Sequence, residues 1–566
     1  MVANSERNGI PSDQCIQNGT VPPRNYDAEL HLVRHKLEAF HSNLLDEVQQ
    51  RMSDIVNDLE KDLRQHELQI REFQNPITTV TGTNPILEFH ENNKDSYEER
   101  YSDRRRKDAN RMSGKSREEQ NKQFLKKFPE KVFQSRESYL TTLMQVGHIR
   151  TIYNIFIVGF VFYLIQNVLL EYLANGRMTL GAGIFQTGFT NLHYAFGVWL
   201  VLNAYTCSVY YALKIWSNVR SKLHQHETLQ SLWSSLCLMG YILGVFMCLY
   251  LPAKYCFKLD IKYASATALL METLRLVMKQ HAFVRTICGR VMRGKLKSGD
   301  TSDSPTTIPP FSRYFYYLFA PTFLYRDSYP RTSCIRWRFV AARFVECVAY
   351  VFLFAFLMEN HLKPGLGNFG KMELNAALLV RTLFQLQMTS MIMLLSGFYF
   401  LLHSWSNLTA ELLRFGDRMF YRDWWTSGDI FEYFRKWNIL VGDWLYEYIF
   451  KDFYLYVFKG STAACGMAVF VISAIAHEYF IDISLRLFFP LLAIQFIASA
   501  FSLSHITKRM SKNMGNLIFW FFLFLGNAFD FLFYVAEFYT KENCPKASYE
   551  SWSDLLLPHL LSCKVK

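Results

Sequence analysis

The sequence lacks an apolar run among its first 25 residues, and this absence argues against a cleavable signal peptide. It also lacks the short polar and apolar alternations that are typical of a soluble domain. Instead, half of the 566 residues are hydrophobic and 16% are aromatic, and they gather into long runs. We therefore expect a polytopic membrane protein whose insertion begins at the apolar run near residue 151.

The eleven cysteines include no C-x-x-C pair, so no metal site of that type is predicted. Most of them, such as Cys237, Cys248 and Cys465, lie in apolar runs, where a thiol behaves as a small hydrophobic side chain. Cys544 and Cys563 differ because they bracket a polar tail after the last apolar run. If that tail is lumenal, the two could form a disulfide, and closing a loop of about 20 residues is worth roughly 3 kcal/mol.

Eight apolar runs are long enough to cross a hydrocarbon core of about 30 Å, which takes roughly 20 residues. They cover 151–174, 188–213, 231–251, 339–358, 376–403, 461–480, 482–503 and 517–539. The net charge of +12 would suit nucleic acid, but basic residues that flank membrane spans account for it better. We expect membrane lipids, and no nucleic acid, among the partners of this chain.

Positive charge predicts the orientation of these runs. The arm before residue 151 and the loop at 508–512 contain clustered Lys and Arg, so both are expected to be cytosolic. One span follows that loop, which puts the C terminus on the opposite side and requires an odd number of crossings. Residues 261–281 supply a ninth span if their few polar groups face the bundle interior, and a surface helix is the alternative. The polar loop at 295–313 is then cytosolic.

Residues 1–147 form a polar, charged arm with two parts of different character. Apolar residues from Leu30 to Leu59 follow 3,4 spacing and predict an amphipathic helix within 30–70. We expect this helix to self-associate into a homo-oligomer, a dimer or a tetramer; packing against the membrane domain of the same chain is the alternative. The part from Phe73 to Lys127 is predicted to be a disordered linker near the lipid headgroups.

A histidine and a glutamate stand side by side in "ISAIAHEYF", residues 472–480, at the end of an uncharged apolar run. An ionisable side chain inside a span is costly unless it is paired or lines a cavity, so His477 is a functional candidate. Histidine suits proton transfer near neutral pH, which predicts a general base. Ser473 lies one helical turn earlier on the same face, whereas Glu478 points about 100° away and is expected to have a structural partner. A hydrogen-bonded core histidine is the alternative.

A second cluster, at 414–453, mixes aromatic residues with basic ones. Its basic residues are Arg414, Arg418, Arg422, Arg435 and Lys436. Such a mixture usually forms an interfacial belt, but it would also suit an anionic ligand with a flat base and phosphates, such as coenzyme A. Asn438 offers an uncharged amide that could donate to a carbonyl oxygen as negative charge develops there.

Two motifs carry a resemblance to a known family. "FYRDWW" at 420–425 resembles the Phe-Tyr-x-Asp-Trp-Trp-Asn signature of the sterol and diacylglycerol acyltransferase branch of the membrane-bound O-acyltransferases, and "AHEY" at 476–479 resembles its histidine motif. The stretch "APTFLYRDSYPRTSCIRW" at 320–337 is more similar to the sterol enzymes, as are "DWLYEY" and the tail with paired cysteines. The resemblance runs from about residue 150 to the C terminus.

The resemblance implies an all-α fold of about nine transmembrane helices around an internal tunnel. It divides the chain into a cytosolic arm at 1–147, an acyltransferase domain at 148–540 and a lumenal tail at 541–566. The implied reaction moves a long-chain fatty acyl group from acyl-CoA to the 3-hydroxyl of cholesterol or a related sterol, in the endoplasmic reticulum membrane. Acyl-CoA is then a co-substrate, and neither a cofactor nor a metal ion is implied.

The resemblance also implies roles for single residues. His477 would remove the proton from the sterol hydroxyl, and Asn438 would hold the thioester and stabilise its oxyanion. The positions implied to line the site or to bind acyl-CoA, together with the basic Arg435, are Trp437, Ser473, Phe420, Tyr421, Asp423, Trp424 and Trp425.

Two positions depart from the family pattern. Thr426 replaces the last Asn of the signature, and Gly442 replaces a histidine that follows the site asparagine in mammalian-type members. Two rival functions stay open: a diacylglycerol acyltransferase would share the histidine, and a lipid-binding transporter without chemistry would share the spans. Loss of ester formation in a His477→Ala protein separates the enzymes from the transporter.

Overall fold

The structure is a computed structural model that describes residues 128–178, 181–293, 308–458, 460–507, 510–545 and 557–563. The helix predicted within 30–70 and the linker up to Lys127 lie outside the described residues. So do residues 295–307 of the predicted loop at 295–313.

The described residues form helices and loops and no strand. Twelve helices are numbered here in chain order: α1 Gly147–Asn175, α2 Leu192–Lys222, α3 Glu227–Lys258, α4 Tyr263–Arg293, α5 Phe311–Phe319, α6 Trp337–Leu357, α7 Ala376–Phe398, α8 Ile430–Trp437, α9 Ile439–Trp444, α10 Thr462–Leu485, α11 Leu491–Thr507 and α12 Lys512–Asn543. Short helical segments occur at Tyr139–Leu143, Ala182–Gly188, Lys363–Leu366, Ser406–Leu412, Trp424–Thr426 and His559–Ser562, and π-helical turns at Met358–Leu362, Tyr399–Trp405, Leu445–Phe450 and Phe453–Val457.

Seven of these helices are long and apolar enough to cross a membrane: α1, α2, α3, α6, α7, α10 and α12, with α6 and α7 continuing through their π-helical turns. α11 is apolar but has only 17 residues. The prediction of an all-α polytopic membrane protein is confirmed, and the count of nine crossings stays a prediction. α5 begins at Phe311, inside the segment predicted to be a loop at 295–313.

α4 covers the predicted ninth span and lies in the interior, packed against α2, α3 and α10. Its polar side chains have partners there. Arg275 pairs with Glu272 at 2.6 Å, and the Trp199 indole N–H donates to the same carboxylate at 3.0 Å. The Lys279 ammonium is only 2% exposed and donates to the carbonyl oxygen of Tyr317 at 2.6 Å. Glu272, Arg275 and Lys279 therefore have partners in the interior, as the spanning interpretation requires.

The boundary predicted between the spans at 461–480 and 482–503 is wrong by several residues, because α10 is longer and α11 starts later. The chain leaves α10 through Arg486, which adopts a left-handed conformation with φ of 56°. The N–H of Leu487 then donates to the carbonyl oxygen of Asp482 at 2.8 Å, which satisfies a carbonyl of the last turn. A positive φ at a non-glycine residue leaves no trace in an apolar pattern.

An N-terminal strap, residues 128–138, packs onto the loop that follows the short helix Ser406–Leu412. The Arg136 N–H donates to the Gly416 carbonyl oxygen at 2.9 Å, and the Arg418 N–H donates to the Arg136 carbonyl oxygen at 3.1 Å. The Arg136 guanidinium also pairs with Asp417 at 2.7 Å. Contacts with the membrane domain therefore begin upstream of residue 148, the predicted start of that domain.

The described end of the tail, residues 557–563, packs against α12. Cys544 and Cys563 form a disulfide, with their Cα atoms 6.2 Å apart. The Glu537 carboxylate on α12 is 3% exposed and accepts the main-chain N–H groups of His559 and Leu560 at 2.7 and 2.8 Å. The pairing suggested from the sequence is thus the one present in the structure.

The start of α12 holds the loop that ends in Gly428. The Asn516 side-chain amide donates to the carbonyl oxygens of Trp425 and Ser427 at 2.9 and 2.8 Å. Gly515 lies against the Gly428 carbonyl so closely that a Cβ atom would overlap it. This contact needs a residue without a side chain, and it positions the segment after "FYRDWW".

We predict that Gly515→Ala destabilises the protein by about 1–3 kcal/mol, the usual penalty for overpacking. Gly159→Ala is the matched control, because Gly159 is also helical but has open space at its Cβ position. That change should be neutral or stabilising by up to about 1 kcal/mol. Apparent melting temperatures in lipid nanodiscs would measure both, and equal values would contradict the close packing.

Candidate active site

The ring of His477 is oriented by its own helix. Its Nδ1 lies 2.7 Å from the main-chain carbonyl oxygen of Ser473, one turn earlier on α10. A carbonyl oxygen can only accept, so Nδ1 is the protonated nitrogen and Nε2 keeps its lone pair in the neutral ring. The ring is partly buried between Phe480 and Phe496, whose centroids lie 5.8 and 5.2 Å away. The Ser473 carbonyl, and not its hydroxyl, therefore sets the tautomer that a general base needs.

Glu478 lies on another face of α10 and has partners of its own. Its buried carboxylate accepts the Tyr534 hydroxyl at 2.9 Å and the Ala493 N–H at 2.7 Å. These contacts tie α10 to α11 and α12, so Glu478 is a structural residue, as its direction on the helix predicts.

Asn438 stands between α8 and α9 and caps the second helix. Its Oδ1 accepts the Val441 N–H at 3.2 Å, which leaves the hydrogens of its amide nitrogen for another acceptor. The side chain is partly buried. Gly442 follows one turn later, and nothing lies within 4 Å of the position that its Cβ would occupy. The departure at Gly442 therefore leaves open space beside Asn438.

Aromatic rings connect the helices on which the two candidates stand. Phe434 of α8, one turn before Asn438, lies 5.0 Å from Phe470 of α10 and 5.6 Å from Phe496 of α11. Phe496 in turn contacts the ring of His477 at 5.2 Å. A single ring thus touches both the end of α8 and the candidate base, so the structure brings these two parts of the sequence together.

The "FYRDWW" motif divides into buried and accessible residues. Phe420 and Tyr421 have no exposed surface and Trp424 only 2%. These three rings belong to an aromatic core around Trp437, which lies 4.7 Å from Trp424 and 4.8 Å from Phe398. Asp423 and Trp425 are partly exposed and Arg435 is exposed. The motif therefore has one half buried in the aromatic core and one half accessible at the surface.

Lys436 links Asp423 to Glu432. Its ammonium lies 3.1 Å from the first carboxylate and 2.7 Å from the second. The Thr426 hydroxyl donates to Asp423 at 2.8 Å. The departure from the family asparagine at Thr426 therefore keeps a hydrogen bond within the motif.

These contacts move the pKa values of the three charged groups. Burial opposes ionisation of Asp423, but hydrogen bonds from Thr426 and Lys436 outweigh it, so the pKa of Asp423 is lowered. Burial likewise opposes ionisation of Glu432, and Lys436 with the Gly428 N–H still lowers its pKa. Burial disfavours the charge on Lys436, yet the two carboxylates raise its pKa. All three groups are therefore charged at neutral pH.

The five basic residues of the cluster are not equivalent. Arg418 is only 1% exposed and lies 2.7 Å from the buried carboxylate of Glu411, so the expectation that it serves an anionic ligand is wrong in this structure. Lys436 is occupied by carboxylates, and Arg414 donates to the Thr332 carbonyl oxygen. Arg422 and Arg435 are exposed and form no ion pair within the described residues.

The sequence analysis did not single out His403, a buried histidine on the π-helical turn after α7. Its Nδ1 lies 2.7 Å from the Tyr421 hydroxyl, and its Nε2 accepts a hydrogen bond from Arg343 at 2.6 Å. Ser138 of the N-terminal strap is within 3.5 Å of the same ring. The signal was an ionisable residue at the end of the predicted run at 376–403, the same kind of signal that identified His477.

The charges around Lys436 predict a pH-dependent contribution to stability. Lys436→Met should cost about 1 kcal/mol at neutral pH, because two partly buried carboxylates lose their partner. The carboxylates have lowered pKa values when folded, so their contribution is present above about pH 5 and is lost as the pH falls below about 4. The stability difference between wild type and variant should therefore shrink as the pH falls through the lowered pKa values of the two carboxylates.

Lys436→Arg keeps the charge and serves as the control, since it should stay within about 0.5 kcal/mol of wild type. Thermal unfolding across this pH range would test the pair. A stability difference that is independent of pH would show that packing of the lysine stem, and not its charge, is responsible.

The part of the chain that contains these residues is similar to known proteins. The model of the MBOAT, membrane-bound O-acyltransferase, family matches residues 181–536, which include His477, Asn438 and "FYRDWW". The chain is 34% identical over 436 residues to "Sterol O-acyltransferase 1" of Mus musculus, covering 77% of this chain and 79% of that protein. It is 32% identical over 440 residues to "Sterol O-acyltransferase 2" of Homo sapiens, covering 77% and 80%.

Proposed function

The chain belongs to the membrane-bound O-acyltransferase family, and on that premise we propose that it is a sterol O-acyltransferase. It moves a long-chain fatty acyl group from acyl-CoA to the 3-hydroxyl of cholesterol or a related sterol. The similarity to proteins named sterol O-acyltransferases over about four-fifths of their length supports the substrate class. The orientation of the His477 ring is the observation that carries the mechanism.

The reaction requires that an alcohol become a nucleophile inside a membrane. Nε2 of His477 accepts the hydroxyl proton as the sterol oxygen bonds to the thioester carbonyl carbon, and general-base assistance of this kind is worth about 10² to 10⁴ in rate. The Nδ1–H group stays bonded to the Ser473 carbonyl, whose partial negative charge stabilises the ring while it is protonated. When the carbon–sulfur bond breaks, Nε2 returns the proton to the leaving sulfur. The products are a sterol ester and free CoA.

Asn438 supplies a hydrogen-bond donor for the negative charge that develops on the carbonyl oxygen. Because its Oδ1 accepts the Val441 N–H, its amide N–H groups remain available to a ligand, which supports this role. As the carbonyl oxygen of the thioester becomes negative, such a donor stabilises it in the transition state.

Direct transfer needs no acyl-enzyme. Cys465 lies on α10 but is twelve residues from His477, about 18 Å along a helix, so a thiol nucleophile activated by this histidine is disfavoured. Holding both lipids beside one base contributes through proximity instead.

The acyl-CoA would approach on the side of the membrane that holds the "FYRDWW" loop. Arg422 and Arg435 offer exposed guanidinium groups for phosphates, and the partly exposed Trp425 offers a ring face for the adenine. Trp437 and Ser473 would line the path between that entrance and the base.

The proposed function also predicts the cellular membrane in which the protein resides and its orientation there. We assign the chain to the endoplasmic reticulum membrane, with a cytosolic N terminus and a lumenal C terminus. The Cys544–Cys563 disulfide supports a lumenal tail, because disulfides persist in an oxidising compartment. Self-association through the helix predicted at 30–70 would make the enzyme a homo-oligomer, a dimer or a tetramer.

His477→Ala should lower ester formation from labelled oleoyl-CoA and cholesterol by at least about 10²-fold while the melting temperature stays near that of wild type. His224→Ala, at an exposed position on a loop, is the control and should retain full activity. Wild type offered several sterols and diacylglycerol in the same assay should acylate a sterol. Preference for diacylglycerol would favour the rival acyltransferase, and an active His477→Ala protein would refute the base.

Two substitutions separate the proposed roles of Asn438 as donor to the thioester oxygen and as cap of α9. Asn438→Asp keeps an oxygen that caps α9 but removes the N–H donor, so stability should be retained while kcat falls by about 10² to 10³. Asn438→Ala removes both and should also lose about 1 kcal/mol of stability. If the aspartate variant is active and the alanine variant is not, the residue acts only as a cap.

A further inference from the structure

A groove of about 340 Å³ lies between the start of α5 and the segment that follows that helix. Arg313 and Arg331 stand on its walls with Tyr316, Tyr329 and Asp327. None of these five residues belongs to the site proposed for acyl transfer. The groove therefore raises the question of what its two arginines bind.

The charge of the groove is positive within the described residues. Its one carboxylate, Asp327, is neutralised by Arg290, whose Nη1 lies 2.8 and 3.0 Å from the two oxygens. Arg313 and Arg331 are exposed, and neither forms an ion pair with a described residue. Two uncompensated positive charges remain, so the groove suits an anion.

The walls of the groove are built in advance. The Arg331 guanidinium lies 4.5 Å from the centre of the Tyr316 ring, a cation–π contact that holds it in place. The Tyr316 hydroxyl donates to the Leu413 carbonyl oxygen at 3.1 Å, and the Tyr329 hydroxyl donates to the Leu324 carbonyl oxygen at 2.8 Å. Little ordering would be needed when an anion enters.

The neighbouring surface indicates where the anion comes from. α5 buries Tyr314 and Tyr317 completely but exposes Phe315 and Phe319, at 47% and 40%. A short helix with a buried face and exposed phenylalanines, in a protein that spans a membrane, is typical of an element lying at the headgroup level. Arg313 is two residues before Phe315 on this helix, so the two side chains lie on different faces. α5 thus offers a cation at the groove and exposed phenylalanines on another face.

We propose that this groove binds the phosphate of an anionic phospholipid, with Arg313 and Arg331 on the phosphate and the acyl chains passing beside Phe315 and Phe319. The tyrosines of the groove pack in the same aromatic core as Phe420, so bound lipid also stabilises the support of the "FYRDWW" loop. The lipid is a structural ligand and not a substrate, which makes the site independent of the proposed reaction.

Thermal unfolding in nanodiscs tests this site without turnover. Phosphatidic acid added to phosphatidylcholine should raise the apparent melting temperature of the wild-type protein. The Arg313→Gln/Arg331→Gln variant should lose that rise, and its affinity for phosphatidic acid should fall by about tenfold for each charge-assisted contact removed. A control with Arg177→Gln and Lys371→Gln removes two exposed charges elsewhere and should keep the rise.

Arg313→Gln alone guards against misfolding, because that side chain is exposed, and it should lose part of the rise. CoA and inorganic phosphate, added to phosphatidylcholine nanodiscs, distinguish the sources of the phosphate. Stabilisation by CoA that survives the double variant supports a separate lipid site. Loss of the CoA effect in that variant, or an equal rise in wild type and double variant, would overturn the proposal.

Discussion

The chemistry proposed for this protein depends on one hydrogen bond, from Nδ1 of His477 to the carbonyl oxygen of Ser473. A histidine inside a membrane needs a partner, yet a base must keep one nitrogen free. The carbonyl one turn earlier meets both demands, since its second lone pair, beyond the one used by the helix, accepts from Nδ1–H and leaves Nε2 free. The ring is therefore oriented by α10 itself, and no neighbouring carboxylate is required for its tautomer.

The loop that contains "FYRDWW" is held in shape mainly by contacts to its main chain. The carbonyl oxygens of Trp425 and Ser427 accept from Asn516, while the N-terminal strap pairs with the main chain at Gly416 and Arg418. Because these contacts do not depend on most of the local side chains, a substitution such as Thr426 for asparagine can be absorbed. The buried aromatic rings then fill the space that this frame encloses.

Much of the fold could be predicted from local patterns, because apolar runs of sufficient length have few stable alternatives in a membrane. His477 was predictable for the same reason, as a polar residue where polarity is costly. The burial of Arg418 was not, because its partner Glu411 shows its role only when the chain turns back on itself. The turn at Arg486 depends on a single backbone conformation, which apolar spacing does not encode.

His403 shows why one buried residue near the candidate site was not predicted from the sequence. It stood at the end of a predicted run, where an ionisable residue is readily taken for the edge of the membrane. The structure instead puts it in the interior, against Tyr421 and Arg343. Knowing where a span ends was therefore necessary to recognise it, and span boundaries are the least certain part of an apolar pattern.

The vacant space at Gly442 has a practical consequence. The position is one helical turn from Asn438, and the backbone there is helical, so it accepts a side chain without strain. A thiol introduced at this point, after replacement of the accessible native cysteines, would give an attachment point beside the Asn438 amide for a fluorophore or a spin label. A label at position 442 would therefore report the binding of a lipid ligand beside Asn438.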